Sequence, residues 1–262
     1  MSVLSQILAD KRTEVHCSSK RITAEELQEK ISSMSEPRDF AAALLDTSLF
    51  LGPGLIAEVK KASPSKGVIR EDFDPVEIAK IYANNGASCL SVLTDEPYFQ
   101  GKLSYLSAIR DVVDLPLLRK DFIISDYQLL EARAAGADAI LLIVAALTAA
   151  ELKDLLFKTD RLGMQALVEI HDADELKFAL DCGANILGIN NRDLHTFRTS
   201  LQVTLDLFPL IPSDKVTISE SGINSHEDFV ELQRAGVNAI LVGESLMREA
   251  DIASKMHSLL GR

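Results

Sequence analysis

The sequence contains no tryptophan, and no apolar run in it approaches the roughly 20 residues that a membrane-spanning helix needs. The early part of the chain carries Asp10, Lys11 and Arg12, so no signal-peptide core is expected there. The three cysteines are widely spaced and include no CxxC pair, which argues against a disulfide framework. We therefore expect a reduced, cytoplasmic protein without a membrane segment.

Positive charge is also scarce, because 27 Lys and Arg residues face 39 Asp and Glu residues and give a net charge of −12. This balance argues against nucleic acid or anionic lipid as the main partner. The cluster Lys60, Lys61 and Lys66 is informative for that reason, since a positive pocket on a negative protein suits a small anionic substrate. The five histidines lack ligand spacing with cysteine or with each other, so neither a metal nor another cofactor is expected. His195 and His226 are predicted to be surface residues.

Residues 57–67, AEVKKASPSKG, are the most informative stretch of the chain. They join the end of an apolar run to a loop rich in Lys, Ser, Pro and Gly. Strand side chains alternate between faces, so Glu58 and Lys60 are predicted on one side of a strand at its carboxyl end. Because burying charge is costly, this segment alone fits either a structural ion pair or part of a functional site.

Eight strand-like segments recur along the chain with helical patterns between them. Four follow a repeated glycine-containing phrase in residues 85–94, 135–144, 182–190 and 235–243, and four more lie at 55–60, 115–120, 165–170 and 216–220. The pattern predicts the α/β class and a (β/α)₈ TIM barrel in one domain of residues 1–262, with an N-terminal helical extension at 1–50 and the barrel at 51–262. An open doubly wound sheet is the alternative, although no GxGxxG motif follows the first strand.

Several helix starts support this alternation. Asp74 precedes Pro75 and Glu77, which predicts an N-cap with proline at the first helical position. Capping-box spacing recurs in three pairs, Thr23 with Glu26, Ser125 with Gln128, and Thr148 with Glu151.

The segment before the first strand is predicted to be helical, with Leu4, Ile7 and Leu8 on one face. It either plugs the bottom of the barrel or folds over the catalytic mouth. The sequence leaves both placements open.

Polar and charged residues collect at the predicted carboxyl ends of the strands. In a barrel of this kind these ends carry the chemistry, whereas the opposite rim mainly serves stability. The residues found there are Glu58, Lys60, Lys120, Glu169, Asn190, Arg192, Glu220, Ser221 and Gly243. Since folding does not require charge at these positions, their convergence predicts an active site. His171, just beyond the fifth strand, is not expected to contact substrate.

A phosphate site is predicted beside these residues. Loops after strands 7 and 8 of such barrels often bind phosphate through backbone N–H groups. Here those loops contain Ser221 and Gly222, then Gly243 and Glu244. Glycine lets the backbone approach an anion, although the same residues also fit ordinary turns. Ser63 in the first loop is a further hydroxyl donor.

Taken in order, these motifs resemble the indole-3-glycerol phosphate synthase family from residue 7 almost to the C-terminus. The resemblance lies in ILADKRTEV (7–15), AEVKKASPSKG (57–67), TDEPYFQG (94–101), LRKDFI (118–123), ALVEIHD (166–172), GINNRDL (188–194), SESGI (219–223) and VGESLM (242–247). It implies an enzyme of tryptophan biosynthesis that acts on 1-(2-carboxyphenylamino)-1-deoxy-D-ribulose 5-phosphate, a small anionic phosphosugar–anthranilate. The implied reaction closes a pyrrole ring with loss of carbon dioxide and water.

The resemblance also implies roles for individual residues. Lys120 is the expected general acid at the C2′ carbonyl oxygen, Lys60 pairs with the substrate carboxylate, and Glu169 acts as base or acid in rearomatisation and dehydration. Glu58 and Asn190 orient these groups. The other expected substrate contacts are Glu220 and Ser221 in the polar wall, Phe99 and Phe122 at the aromatic ring, and Ser63, Arg192, Gly222 and Gly243 at the phosphate.

Two further expectations concern charge. A lowered pKa would help Lys120 act as an acid near neutral pH, and burial beside Lys60 would lower it. Glu58 and Glu169 would oppose that change. Some relatives have serine at the position of Glu244, where an inward carboxylate would repel phosphate. We expect this side chain to turn outward and leave its backbone N–H as the donor.

Three other functions remain open. A phosphoribosylanthranilate isomerase would carry a cysteine in the loop after its first strand, and no cysteine lies near residue 60. A Schiff-base aldolase would use Lys60 or Lys120 as the nucleophile. A non-catalytic scaffold would not need acid, base and phosphate groups together. The chain is expected to be a monomer or a weak homodimer.

Overall fold

The computed structural model describes residues 3–193 and 196–262, with the side chains of residues 47–51 left out of the description. Within these ranges the strands are β1 (Gly54–Val59), β2 (Ala62–Ser63), β3 (Gly67–Val68), β4 (Cys89–Leu93), β5 (Leu117–Lys120), β6 (Ala139–Ile143), β7 (Gln165–Ile170), β8 (Ile186–Asn190), β9 (Val216–Glu220) and β10 (Ala239–Val242).

The helices in the same ranges alternate with the strands after an N-terminal group of three. They are α1 (Val3–Arg21), α2 (Ala24–Ser32), α3 (Phe40–Leu51), α4 (Pro75–Asn84), α5 (Glu96–Phe99), α6 (Ser104–Arg110), α7 (Asp126–Ala134), α8 (Ala149–Arg161), α9 (Ala173–Cys182), α10 (Gln202–Leu207), α11 (His226–Ala235), α12 (Glu244–Met247) and α13 (Ile252–Leu260). Two 3₁₀ turns lie at Val144–Ala146 and Phe208–Leu210. No helix in the described ranges has both the length and the apolar character needed to cross a bilayer.

Eight of the strands form a closed parallel barrel in the order β1-β10-β9-β8-β7-β6-β5-β4. All eight predicted strands are present, and the predicted (β/α)₈ barrel is confirmed. The alternative of an open doubly wound sheet is wrong, because β1 pairs with β10 as well as with β4. The sequence analysis described the segment after β1 only as a loop, and it contains the short antiparallel pair β2–β3.

Local signals explain most of the helix boundaries. The glycine of each repeated phrase has a positive φ at a helix end, at Gly86, Gly136, Gly183 and Gly236. The capping boxes at Thr23 and Thr148 are confirmed, and Asp74 caps α4 with Pro75 as its first residue. The predicted box at Ser125 is wrong, because Gln128 bonds Ile124 and Phe122 on the preceding loop instead.

Side-chain alternation places the polar residues inside the barrel mouth. On β1, β5 and β7 the inward residues Ile56, Leu118 and Leu167 belong to the apolar cluster that fills the barrel. Two positions further along each strand lie Glu58, Lys120 and Glu169, which therefore face inward above that cluster. Of the residues between them, Ala57 and Val168 belong to the outer apolar layer, and Arg119 bonds the Gln128 carbonyl on α7.

The N-terminal extension reaches both ends of the barrel. Phe40 and Leu44 of α3 are fully buried in the inner cluster and close the bottom of the barrel. At the other end, Leu4 and Ile7 of α1 line the cavity of the mouth. The two placements left open by the sequence are therefore both occupied, by different helices of one segment.

Candidate active site

One cavity of about 640 Å³ opens at the carboxyl ends of the barrel strands. All fourteen residues predicted for the site line it, namely Glu58, Lys60, Ser63, Phe99, Lys120, Phe122, Glu169, Asn190, Arg192, Glu220, Ser221, Gly222, Gly243 and Glu244. Some of these side chains face into the barrel from its strands, and others lie on the loops that follow the strands. The barrel therefore brings these positions together, although they are far apart in sequence.

Lys120 lies at the centre of the charged part of this cavity. Its Nζ donates to Oε2 of Glu169 and to Oε2 of Glu220, each at 2.9 Å. These residues lie at the carboxyl ends of β5, β7 and β9, which are alternate strands of the barrel and contribute side chains to one layer. The lysine side chain is only 12% exposed, so two carboxylates rather than water surround its charge.

The pKa of Lys120 is raised, and the expectation of a lowered value is wrong. Burial lowers the pKa of this amine, but the charges of Glu169 and Glu220 raise it by more. Glu220 was not counted in the expectation, and Lys60 is paired with Glu58 at 2.5 Å instead of acting as an uncompensated cation. Lys120 is therefore held firmly as an ammonium.

The two carboxyl groups beside Lys120 differ in protonation. Burial raises the pKa of Glu220 to about 7, because the attraction of Lys120 offsets only part of the burial and the charge of Glu169 adds to it. At Glu169 burial also raises the pKa, but Lys120 and His171 lower it by more, so the net pKa lies below its ordinary value. Lys120 thus lies between Glu169, which is a carboxylate near neutral pH, and Glu220, which keeps its proton to a higher pH than an ordinary glutamic acid.

Asn190 and Gly188 on β8 shape the wall between these groups. The Asn190 side chain bonds Glu169, and its Oδ1 accepts the backbone N–H of Arg192 at 3.1 Å. A Cβ atom on Gly188 would overlap Oε1 of Glu220. Glycine at this position therefore makes room for the carboxyl group that bonds Lys120.

The part of the cavity where phosphate is expected contains a hydroxyl group without a partner among the described residues and a left-handed backbone segment. The Ser63 hydroxyl is buried and has no hydrogen-bond partner among the described residues. Ser221 and Gly222 have φ values of 68° and 80°, a left-handed conformation that is uncommon for serine. Strained backbone of this kind clusters at ligand sites.

Glu244 does not turn away from the cavity as expected. Its Oε2 accepts from Nη2 of Arg192 at 3.3 Å, and its Oε1 accepts from Nε of Arg248 at 3.0 Å. The carboxylate bridges one guanidinium inside the mouth and one outside it, because two cations attract it more than solvent does. It thus neutralises part of the charge that Arg192 was expected to offer phosphate.

Apolar side chains form the other wall. The rings of Phe99 and Phe122 lie 6.2 Å apart at a 41° tilt. Val3, Leu4 and Ile7 of α1 extend this wall across the mouth. A flat aromatic group fits between such surfaces better than water does.

Sequence reasoning assigned no role to Lys11, which anchors α1 to the barrel. This side chain is 1% exposed, and its Nζ lies 2.9 Å from Asp95 and 2.8 Å from Asp121. The sequence pattern that could have revealed this role is the position of Lys11 on the same face of the helix as Ile7 and Leu8. A lysine on the buried face of a helix needs an acidic partner.

The histidines were predicted with mixed success. His171 lies behind Glu169 and is not among the residues that line the cavity. His226 begins α11 and is half-buried, with its ring bonded to the Leu259 carbonyl, so it is not simply a surface residue. His195 lies outside the described residues.

A closed parallel barrel with ammonium, guanidinium and carboxyl groups at its carboxyl rim defines a TIM-barrel enzyme for a small anionic substrate. The family model for indole-3-glycerol phosphate synthase matches residues 4–259. The chain therefore belongs to the indole-3-glycerol phosphate synthase family.

Curated relatives agree over nearly the whole chain. The indole-3-glycerol phosphate synthase of Acidithiobacillus ferrooxidans (strain ATCC 53993 / BNL-5-31) is 51% identical over 257 residues, which cover 98% of each chain. That of Roseiflexus sp. (strain RS-1) is 52% identical over 268 residues, covering 99% of this chain and 98% of the relative.

Solved structures with low identity share the barrel. The 3-hexulose-6-phosphate synthase of Salmonella typhimurium superposes with a TM-score of 0.62 at 13% identity, over 79% of this chain and 97% of that one. This likeness concerns the fold alone.

Proposed function

We propose that the chain closes the pyrrole ring of 1-(2-carboxyphenylamino)-1-deoxy-D-ribulose 5-phosphate and releases indole-3-glycerol phosphate, carbon dioxide and water. The observation that carries the proposal is Lys120 bonded to Glu169 and Glu220 in a cavity that also contains Lys60 and Arg192. One site thus offers cations to both anionic groups of the substrate and an acid–base set between them.

Lys120 serves as the general acid. As the aromatic carbon attacks the C2′ carbonyl carbon, a carbon–carbon bond forms and negative charge builds on the carbonyl oxygen. The Lys120 ammonium donates a proton to that oxygen and leaves a hydroxyl group. A raised pKa does not prevent this step, because an alkoxide is a stronger base than an amine.

Glu169 serves as the base in the later steps. Loss of carbon dioxide restores the aromatic ring. In the dehydration that completes the pyrrole, the C2′–oxygen bond breaks, and the hydroxyl takes a proton from the carboxyl group of Glu220, whose pKa is raised to about 7, and leaves as water. The proton removed from the substrate in this step goes to Glu169, which is a carboxylate near neutral pH because its pKa is lowered. Asn190 holds this carboxylate in place.

The remaining residues bind and orient the substrate. Lys60, positioned by Glu58, pairs with the carboxylate until it leaves as carbon dioxide. Phe99 and Phe122 contact the aromatic ring. The phosphate is held by Ser63, Arg192 and the backbone at Ser221, Gly222 and Gly243.

Product formation from the synthetic substrate, followed by indole fluorescence, tests the proposal. Lys120→Met should fold normally by circular dichroism and lose about 10²- to 10⁴-fold in kcat. Lys60→Met should mainly raise KM, whereas Lys80→Met, on the exposed surface of α4, should change neither constant. A wild-type chain that makes no indole product would overturn the function, and near-normal kcat in Lys120→Met would remove that residue from its role.

The Schiff-base alternative is disfavoured by the charge on Lys120. A nucleophilic lysine has to be neutral, and the raised pKa keeps this one protonated. Borohydride with a keto-sugar phosphate should therefore trap no covalent adduct at Lys120.

A further inference from the structure

His171 lies behind Glu169 rather than in the cavity. It follows β7, two residues after Glu169, and its side chain is 12% exposed. Its Nε2 lies 3.5 Å from Oε1 of Glu169, whereas Lys120 bonds the other oxygen, Oε2. Glu169 therefore has a titratable group facing each of its two oxygens.

A second carboxylate fixes the imidazole from behind. Oε2 of Glu175 lies 3.0 Å from Nδ1 of His171 and also accepts the backbone N–H of His171 at 2.8 Å. Glu175 stands in the first turn of α9, whose cap is Asp172. Because the carboxylate accepts the proton on Nδ1, the ring plane and the direction of Nε2 are set by α9.

Nε2 of His171 is buried and has no hydrogen-bond partner among the described residues. The 3.5 Å separation from Glu169 is longer than a hydrogen bond and shorter than the reach of an ion pair. When the ring is protonated, Nε2 bears a hydrogen and part of the positive charge, and both face the Glu169 carboxylate.

The groups that face the imidazole are nearly all acidic. Glu169 faces it from β7, Glu175 from α9 and Glu220 from β9, while Lys120 stands beyond Glu169 on β5. Burial lowers the pKa of His171, but the bond to Glu175 and the charge of Glu169 raise it by more. The cation therefore persists to a higher pH than in an ordinary histidine.

We propose that His171, held by Glu175, is a positioning residue that keeps Glu169 ionised and directs its Oε1, so that Glu169 is ready to accept a proton from substrate. The inference rests on the proposed function of Glu169 as the base. His171 acts only through that carboxylate, and no bond to the substrate forms or breaks at the ring.

The test is the pH dependence of kcat and KM in His171→Gln and Glu175→Gln. In His171→Gln the neutral amide reaches the place of Nε2 without its charge, so protons compete for Glu169 at higher pH. The expected kcat is about tenfold below wild type at pH 6 and close to wild type at pH 8.5, with KM unchanged. Glu175→Gln keeps an acceptor for the backbone N–H and should shift kcat in the same direction by less.

Asp174→Asn is the matched control, since it removes the same charge one residue earlier on α9 and should leave the profile unchanged. A kcat ratio that stays constant with pH, or a profile identical to wild type, overturns the inference. If His171→Gln fails to fold, Glu175→Gln alone decides the question.

Glu169→Gln separates the two proposals. A wild-type kcat in that variant would refute the role of Glu169 as the base. A large loss of kcat in Glu169→Gln together with a wild-type pH profile in His171→Gln would refute only the role of His171.

Discussion

The carboxylate of Glu58 occupies the space that a Cβ atom on Gly243 would need. Gly243 follows β10, which neighbours β1 in the barrel, and its φ of −127° is not in the left-handed region that favours glycine. The absence of a side chain at residue 243 leaves the room that the Glu58 carboxylate fills. The pair of Glu58 with Lys60 depends on that room.

Gly243→Ala should displace Glu58 and reduce kcat/KM by up to about 100-fold, because small errors in the placement of reacting groups are costly. Steady-state kinetics measures the loss. In a Glu58→Ala background, Gly243→Ala should reduce kcat/KM far less than it does in the wild type. An equal loss in both backgrounds would show that the space at residue 243 does not act through Glu58.

Ser63→Ala should weaken substrate binding without weakening the fold. The Ser63 hydroxyl has no partner among the described residues, so its removal breaks no bond in the free protein. A hydrogen bond to a charged phosphate is worth about 1.5–3 kcal/mol, which predicts a KM at least about tenfold higher. Ser91→Ala is the control, since that hydroxyl is also buried and unpaired within the described residues but does not line the cavity. A normal KM in Ser63→Ala would contradict its role at the phosphate.

Glu220→Gln should gain stability relative to wild type as pH rises. The pKa of Glu220 in the fold is about 7, above its ordinary 4.5, so the folded protein binds this proton more tightly than the unfolded chain. Its contribution is complete below pH 4.5 and is lost as pH rises through about 7. Glutamine does not titrate, so the difference in free energy of unfolding should grow in favour of the variant between pH 5 and 8. Urea denaturation at several pH values measures it, and a constant difference would contradict the raised pKa.

Lys11→Met should destabilise the protein and loosen α1. The change leaves Asp95 and Asp121 buried with one cation fewer. Removing one partner of a buried ion pair typically lowers the free energy of unfolding by about 3–5 kcal/mol. KM should also rise, because Leu4 and Ile7 of the same helix line the cavity. Lys177→Met breaks an exposed pair with Asp181 and should leave the midpoint of urea denaturation almost unchanged. Equal costs for the two variants would show that the buried cluster does not hold α1.

The sequence was sufficient for the barrel because its signals are local and repeated. The glycine at each helix end and the caps at Thr23 and Thr148 each report a conformation that neighbouring residues decide. Lys120 and Glu169 were located from their positions at the carboxyl ends of predicted strands, where barrels of this kind carry their chemistry.

What the sequence could not supply was the pairing of charges across the barrel. Lys120 was expected near Lys60, but Glu169 and Glu220 from other strands bond it and together raise its pKa above the ordinary value. Glu244 was expected outside, but Arg192 and Arg248 hold it. Such partners depend on side-chain rotamers and on strands far apart in the chain, which no spacing rule encodes.

The N-terminal extension has a consequence for the order of events during synthesis. Phe40 belongs to the cluster that contains Ala239 of β10, so its binding surface is complete only when the last strand has left the ribosome. Although α3 is made early, it is thus among the last helices to dock completely. Until then its apolar face is open to chaperones, and a nascent chain arrested before β10 cannot seal the floor of the barrel.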